Sequence, residues 1–261
     1  MSRIYPLFSS SKANSAFIGT EQGGILIDCG ASFKRLRAAL DINNIPLSAI
    51  HGVFITHEHS DHIAGLKMLT KMTSVPVYGT KRTLQRLCDT DKLSPGSVLT
   101  AMGGREIECA GYGVSAFPIS HDAIAPCGYR IHMPDGSCCA VCTDTGMVTP
   151  EIEAALSGCR MVLLEANYDE EMLRGGHYPL YLKERILSPL GHLSNRMSGE
   201  TARKLVMQGT THILLGHLSQ DNNRPDAAYN TVAGAMPELT AGRDYLLGVA
   251  PVETRGGAVI F

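Results

Sequence analysis

The run His57-Glu58-His59-Ser60-Asp61-His62 sets three imidazoles and one aspartate side by side directly after the apolar segment Val53-Phe54-Ile55. Imidazole suits Zn²⁺, Mn²⁺ and Fe, and a carboxylate among the histidines leaves room for further ligands and for a reactive water. If His57 and His59 leave an extended strand on one face, a turn can bring Asp61 and His62 to a second ion nearby. The segment therefore points to two adjacent divalent cations with an open position, which is the signature of hydrolytic chemistry and not of a structural clip.

Two ions need more ligands than one segment supplies, and further His and Asp residues stand at the ends of later apolar runs. His121 follows Ala116-Phe117-Pro118-Ile119-Ser120, Asp144 follows Ala140-Val141-Cys142-Thr143, and His217 follows Ile213-Leu214-Leu215-Gly216. His51, His132, His177 and His212 fit no such position and read as ordinary polar or packing residues.

Groups so spaced must be positioned by strands that end together. Period-two and short apolar runs between polar or Gly turns predict strands over 4–8, 16–19, 24–27, 53–56, 75–78, 105–109, 113–119, 128–133, 138–143, 161–165, 212–216 and 245–249. Helical spacing predicts helices over 33–42, 63–72, 81–88, 150–156, 169–174, 198–207 and 225–236. The order reads as two successive β-then-α halves, that is, two packed sheets with helices outside. No Pro- or Ser-rich linker and no short repeat interrupts the chain, so residues 1–261 read as one domain with a weak internal duplication.

A chain of 261 residues with 44% hydrophobic content has ample material for a core. It shows no leader pattern at its start and no apolar run of membrane-spanning length, which suggests a cytoplasmic protein that uses no membrane. The eight cysteines read as buried reduced thiols; Cys139 and Cys142 would face opposite sides of one strand, so their C-x-x-C is no zinc clip. A net charge of −2 excludes a generally basic, nucleic-acid-coating protein but not a local basic groove. The sets Lys67, Lys71, Lys81, Arg82, Arg86 and Lys183, Arg185, Arg196, Arg203, Lys204 read as solvated helix faces.

In order and spacing the ligand series resembles the metallo-β-lactamase superfamily from Asp28 to His217. The resemblance implies an α/β protein with a four-layer αββα sandwich, one ion on His57, His59 and His121, the other on Asp61, His62 and His217, and Asp144 bridging them. Asp28 would support the metal loop by hydrogen bonds. The superfamily hydrolyses β-lactams, thioesters, lactones and phosphodiesters, so other residues must choose the substrate.

Gly191-His192-Leu193-Ser194-Asn195, with Leu215-Gly216-His217-Leu218-Ser219, is similar to the nuclease branch, where the first His is a proton donor often held by a Glu; here these are His192 and Glu165. H-E-H-S-D-H, Ile119-Ser120-His121-Asp122-Ala123, Asp144-Thr145 and Leu163-Leu164-Glu165-Ala166-Asn167 resemble the YycJ/WalJ family of bacterial exonucleases. That likeness implies a 5′–3′ DNA exonuclease acting through a dinuclear-metal-bound hydroxide, on DNA bound without sequence preference, beside DNA-repair proteins. Catalysis would fall to His192, Glu165 and Asp61. Ser11, Lys12, Asn14, Asn195 and Arg196 are candidate phosphate contacts. Lys12 and Ala13 stand where the family tends to have Gly, which leaves the Ser9–Ser15 turn open. Only 72 residues separate Asp144 from His217, too few for the inserted domain of larger RNA-processing nucleases. The alternatives are a thioester, lactone or cyclic phosphodiester hydrolase on the same ligands, or a metal-dependent sensor without turnover.

Overall fold

The computed structural model describes residues 1–261. The first half of the chain reads β1 (Arg3–Ser10), β2 (Ala13–Thr20), β3 (Gly23–Ile27), α1 (Phe33–Ile42), β4 (Ile50–Phe54), α2 (Ser60–Ile63), α3 (Leu66–Met72), β5 (Val77–Thr80), α4 (Lys81–Asp89) and β6 (Leu99–Met102). The second reads β7 (Ile107–Cys109), β8 (Tyr112–Pro118), β9 (Cys127–His132), β10 (Cys138–Cys142), α5 (Pro150–Leu156), β11 (Met161–Glu165), α6 (Glu170–Gly175), α7 (Leu180–Leu187), α8 (Asn195–Met207), β12 (His212–Gly216), α9 (Pro225–Gly234), β13 (Leu246–Val249) and β14 (Val259–Ile260). Helix starts are set by side-chain oxygens that accept otherwise unpaired N–H groups: Ser32 before α1, Thr80 before α4, Thr149 before α5 and Ser194 before α8.

Two seven-stranded sheets form, in the orders β14-β1-β2-β3-β4-β5-β6 and β13-β12-β11-β10-β9-β8-β7. Each begins with antiparallel hairpins and continues in parallel, through β3-β4-β5-β6 in one and β10-β11-β12-β13 in the other. The internal duplication expected from the element order is visible in this shared pattern.

Alternation along the strands sorts the apolar residues into three layers of core. Ile25, Ile27, Phe54, Tyr129, Cys139 and Val141 fill the space between the sheets; Leu26, Val53 and Ile55 face α1, α3 and α4; Cys138, Ala140 and Cys142 face α5, α8 and α9. The result is the αββα sandwich. Cys139 and Cys142 do point to opposite faces, and all eight cysteines are free thiols, only Cys88 being exposed.

The sheets are fastened beneath one edge. Phe54 stacks on Tyr78 with centroids 4.3 Å apart, and Tyr129 meets Phe54 edge-on at 5.6 Å. The Tyr129 hydroxyl donates to Ile55 O at 2.6 Å, and the Cys127 N–H donates to Thr56 O at 3.1 Å. These cross-sheet bonds fix the backbone that immediately precedes His57.

Candidate metal centre

The sites of chemistry follow the carboxyl ends of strands in both sheets, along one edge of the sandwich. Asp28 follows β3, His57 and His59 follow β4, His121 follows β8, Asp144 follows β10, Glu165 ends β11 and His217 follows β12. Asp28, Asp144 and His217 all adopt the left-handed conformation, with φ of 59°, 59° and 57°. Non-Gly residues rarely do so, and three of them at one site indicate backbone turned to aim side chains.

Four groups of ligand atoms converge: His57, His59 and His121; Asp61, His62 and His217; His57, His62 and Asp144; and Asp144, Glu165, His192 and His217, the atoms of each group lying within 4.8 Å of one another. The rings of His57, His59 and His121 sit nearly equidistant, with centroids 4.6, 5.1 and 5.1 Å apart. Asp61 and His62 are brought in by the single turn of α2. Gly30 permits this turn to pack, because a Cβ there would collide with the Asp61 carbonyl and crowd Asn14 N.

Hydrogen bonds orient the rings. The Asp28 carboxylate accepts from Thr56 N and Thr56 Oγ1, both at 2.8 Å, and from His62 Nδ1 at 2.7 Å. Thr56 Oγ1, whose proton goes to Asp28, accepts from His57 Nδ1 at 3.0 Å. His121 Nδ1 donates to Gly191 O at 3.1 Å, and His217 Nδ1 to Glu165 Oε1 at 2.9 Å. In all four rings Nδ1 is engaged, which leaves Nε2 as the ligand atom, the arrangement by which outer partners fix tautomer and ring orientation. His57 Nε2, His217 Nε2 and Asp144 Oδ2 are buried without any hydrogen-bond partner. His62 Nε2 lies 3.2 Å from Asp144 Oδ2, but out of line for a hydrogen bond. Buried polar atoms are almost always satisfied, so this donor set fits cations.

The electrostatics agree. Burial, with His62 nearby, holds His57 well below the usual imidazole range, and burial also lowers His121, so both are neutral, as ligands must be. Burial would lower His62 and His217 too, but Asp144, Asp28 and Asp61 raise His62 well above its ordinary value, while Asp144, Asp61 and Glu165 push His217 up to about 10. Asp144 is buried at a cost, yet His217 and His62 hold it well below the usual carboxylate range. The cluster thus draws two protons onto positions where cations would satisfy the same carboxylates.

Glu165 is wholly buried and accepts from His192 Nδ1 at 2.8 Å, His217 Nδ1 at 2.9 Å, Thr145 N at 2.8 Å and Leu193 N at 3.2 Å. With its oxygens so engaged, it serves as a bracket for two histidines. His192 enters the fourth group through this bracket, and its ring lies 5.2 Å from those of His121 and His217.

The remaining candidates separate. Ser11 and Lys12 form the exposed two-residue turn between β1 and β2; Ser11 Oγ accepts from Asn167, whose amide also donates to His217 O at 2.8 Å. Neither turn residue has positive φ, so the departure from Gly at Lys12 costs no strain. Asn14 is buried and donates to Asp61 Oδ2 at 3.2 Å and to Ser10 O at 2.9 Å; it orients the ligand cluster and is not free for phosphate. Asn195 is buried, and its amide is paired in both directions with that of Asn223 at 3.0 and 2.8 Å. Arg196 is likewise committed, to Glu170 at 3.1 Å and Glu200 at 2.6 Å. Thr56 and Asn167 escaped the sequence reading. Their signal was a polar residue at a strand end beside a candidate ligand or bracket.

A family model described as a β-lactamase superfamily domain matches residues 24–217. The chain is 34% identical over 241 residues to Exodeoxyribonuclease YycJ of Bacillus anthracis, covering 89% of this chain and 88% of that protein. It is 35% identical over 247 residues to Exodeoxyribonuclease WalJ of Streptococcus pneumoniae, covering 92% and 90%. Among solved structures, the metallo-β-lactamase fold protein YhfI from Bacillus subtilis superposes with a TM-score of 0.73 at 14% identity, over 97% of this chain and 98% of that one. The chain belongs to the YycJ/WalJ family of the metallo-β-lactamase superfamily.

Proposed function

We propose that this chain is a metal-dependent phosphodiesterase, a DNA exonuclease that works from the 5′ end without sequence preference. The observation that carries this reading is His192: within the group it forms with Asp144, Glu165 and His217, its Nδ1 is taken at 2.8 Å by the buried Glu165, and it belongs to neither histidine set expected to hold a cation. Thioester or lactone hydrolysis on the same ligands gives such a histidine no task, whereas loss of a 3′-oxygen from phosphorus requires a proton. The names of the relatives above agree with it.

His57, His59 and His121 would hold one divalent cation and Asp61, His62 and His217 another, with Asp144 between them. Zn²⁺, Mn²⁺ and Fe²⁺ all suit these donors. Such a pair, when bound, supplies water activated at neutral pH and neutralises phosphoryl charge. Asp28 and Thr56 keep His57 and His62 in the tautomer that presents Nε2. Asp61, held by Asn14, fixes one side of the cluster. Glu165 fixes His192 through Nδ1, so that Nε2 of the protonated ring would give its proton to the leaving 3′-oxygen, a role typically worth ~10²–10⁴-fold. Lys12 and Ser11, exposed at the β1–β2 turn, would meet the backbone of DNA. We further propose that residues 1–261 act as one catalytic unit, since β14 near the carboxyl end pairs with β1, and that the protein works in the reducing cytoplasm, which free thiols suit.

The test is degradation of 5′-phosphorylated, 3′-labelled single- and double-stranded DNA with Mn²⁺ or Zn²⁺, beside the Asp144→Ala variant. Mononucleotides released from the 5′ end by the wild type alone support the reading. Intact DNA with both metals, together with turnover of a thioester or lactone panel, overturns it.

A further inference from the structure

Arg185, on α7, leaves the solvated face on which the sequence alone would leave it. Its guanidinium grips Asp122 in a two-point fork, Nε to Oδ2 at 2.6 Å and Nη2 to Oδ1 at 3.0 Å. The same Asp122 Oδ1 lies 3.3 Å from His121 Nε2, the ring nitrogen left free because Nδ1 bonds Gly191 O. One carboxylate oxygen therefore touches both the arginine and a candidate ligand atom of the cluster.

We propose that Arg185 is a substrate-binding residue, parked on Asp122 in the free enzyme, that transfers its fork to a phosphate of the DNA backbone at the metal centre. The inference rests on the nuclease reading above. Because Asp122 Oδ1 lies 3.3 Å from a ligand nitrogen of the group His57, His59 and His121, a phosphodiester drawn to a cation held there would compete with Asp122 for the same donor. A guanidinium presents the same paired N–H groups to a phosphate as to a carboxylate. The resting pair is not sealed: the Arg185 side chain is 47% exposed and that of Asp122 32%. Packing does not require it either, because α7 is anchored by buried Ile186, by Lys183 on the carbonyls of Arg174 and Gly176, and by Ser120 Oγ donating to Pro189 O. Arg196, by contrast, is shared between two carboxylates of its own neighbourhood.

The test is binding of a fluorescent phosphorothioate single strand to the metal-loaded protein from 50 to 300 mM KCl, with DNA cleavage by the wild type measured alongside. Arg185→Ala should weaken binding about tenfold and make the slope of log affinity against log salt shallower by about 0.7, the loss of one phosphate contact on a single strand. Arg185→Lys should restore the slope and only part of the affinity. Asp122→Asn should leave the slope alone and tighten binding two- to fivefold, because the competing carboxylate is gone. An unchanged slope in Arg185→Ala, or an Asp122→Asn variant that weakens as Arg185→Ala does, reduces the pair to a clamp and overturns the proposal while the nuclease reading stands. A wild type that neither binds nor cleaves DNA overturns both.

Discussion

At His192 and His217 one buried carboxylate, Glu165, holds two imidazoles for different work. Replacing His192 with Ala should therefore lower kcat by ~10²–10⁴-fold and leave the metal content of the protein unchanged, whereas His217→Ala should lose metal as well. Elemental analysis beside turnover decides it, and an H192A protein that loses its metal would make His192 a ligand. Protonation gives a second expectation. His217 is raised to about 10 in the fold, against 6.5 for a free imidazole. Its charged form stabilises the metal-free protein fully below about 6.5, and that contribution is lost as the pH rises through about 10. A cation on Nε2 would take the proton's place. The Tm of chelator-treated protein should thus fall between pH 7 and 9.5 while that of metal-loaded protein holds, and equal slopes would remove the link between this proton and the metal. At this scale H-x-H-x-D-H was legible because its residues are neighbours in sequence. The grip of Glu165 on His217 was not, since it joins residues 52 apart across two strands.

Elements place these side chains through their ends. α1, α5 and the strands β11 and β12 run where local pattern and caps predict them, with Ser32 and Thr149 marking the helix starts. Other elements left weaker marks. β6 has a mostly exposed face, β14 is two residues long, and α7 buries only Ile186, so none of them shows strong periodicity. The single helix expected over 63–72 is instead α2 and α3, divided at Gly65, where a Cβ would strike the Ala31 carbonyl. Close backbone approach of that kind is a tertiary fact and leaves no periodic trace. Gly30 makes the point testable, because it lets the loop after β3 lie against α2. Gly30→Ala should cost about 1–3 kcal/mol, as overpacking does, and weaken metal binding by displacing Asp61. A urea midpoint and metal affinity equal to the wild type would show that the contact yields freely.

Across the whole molecule the ligand groups do not respect the division into sheets. His57, His59, Asp61 and His62 come from the half built on the first sheet, and His121, Asp144 and His217 from the half built on the second. Each of the two cations expected here would draw ligands from both halves, so the metals would tie together two layers that otherwise meet through the apolar contacts around Ile25, Phe54 and Tyr129 and the cross-sheet hydrogen bonds of Tyr129 and Cys127. Local sequence could announce the ligands but not this division of labour, which follows from strand order. Ligand binding to the folded state alone stabilises it by about 2.7 kcal/mol at a free concentration one hundred times Kd. For a chain of this size that corresponds to about 5–10 °C in Tm. Stripping the metal with a chelator should therefore lower the calorimetric Tm by about that much per tightly held ion, and re-addition of Zn²⁺ or Mn²⁺ should restore it. Asp144→Ala, which removes the carboxylate proposed to lie between the two cations, should show little of the metal-dependent rise. A wild-type Tm indifferent to chelator would mean that the sheets are held by their apolar interface and its cross-sheet hydrogen bonds, and that the cluster at their shared edge contributes nothing to joining them.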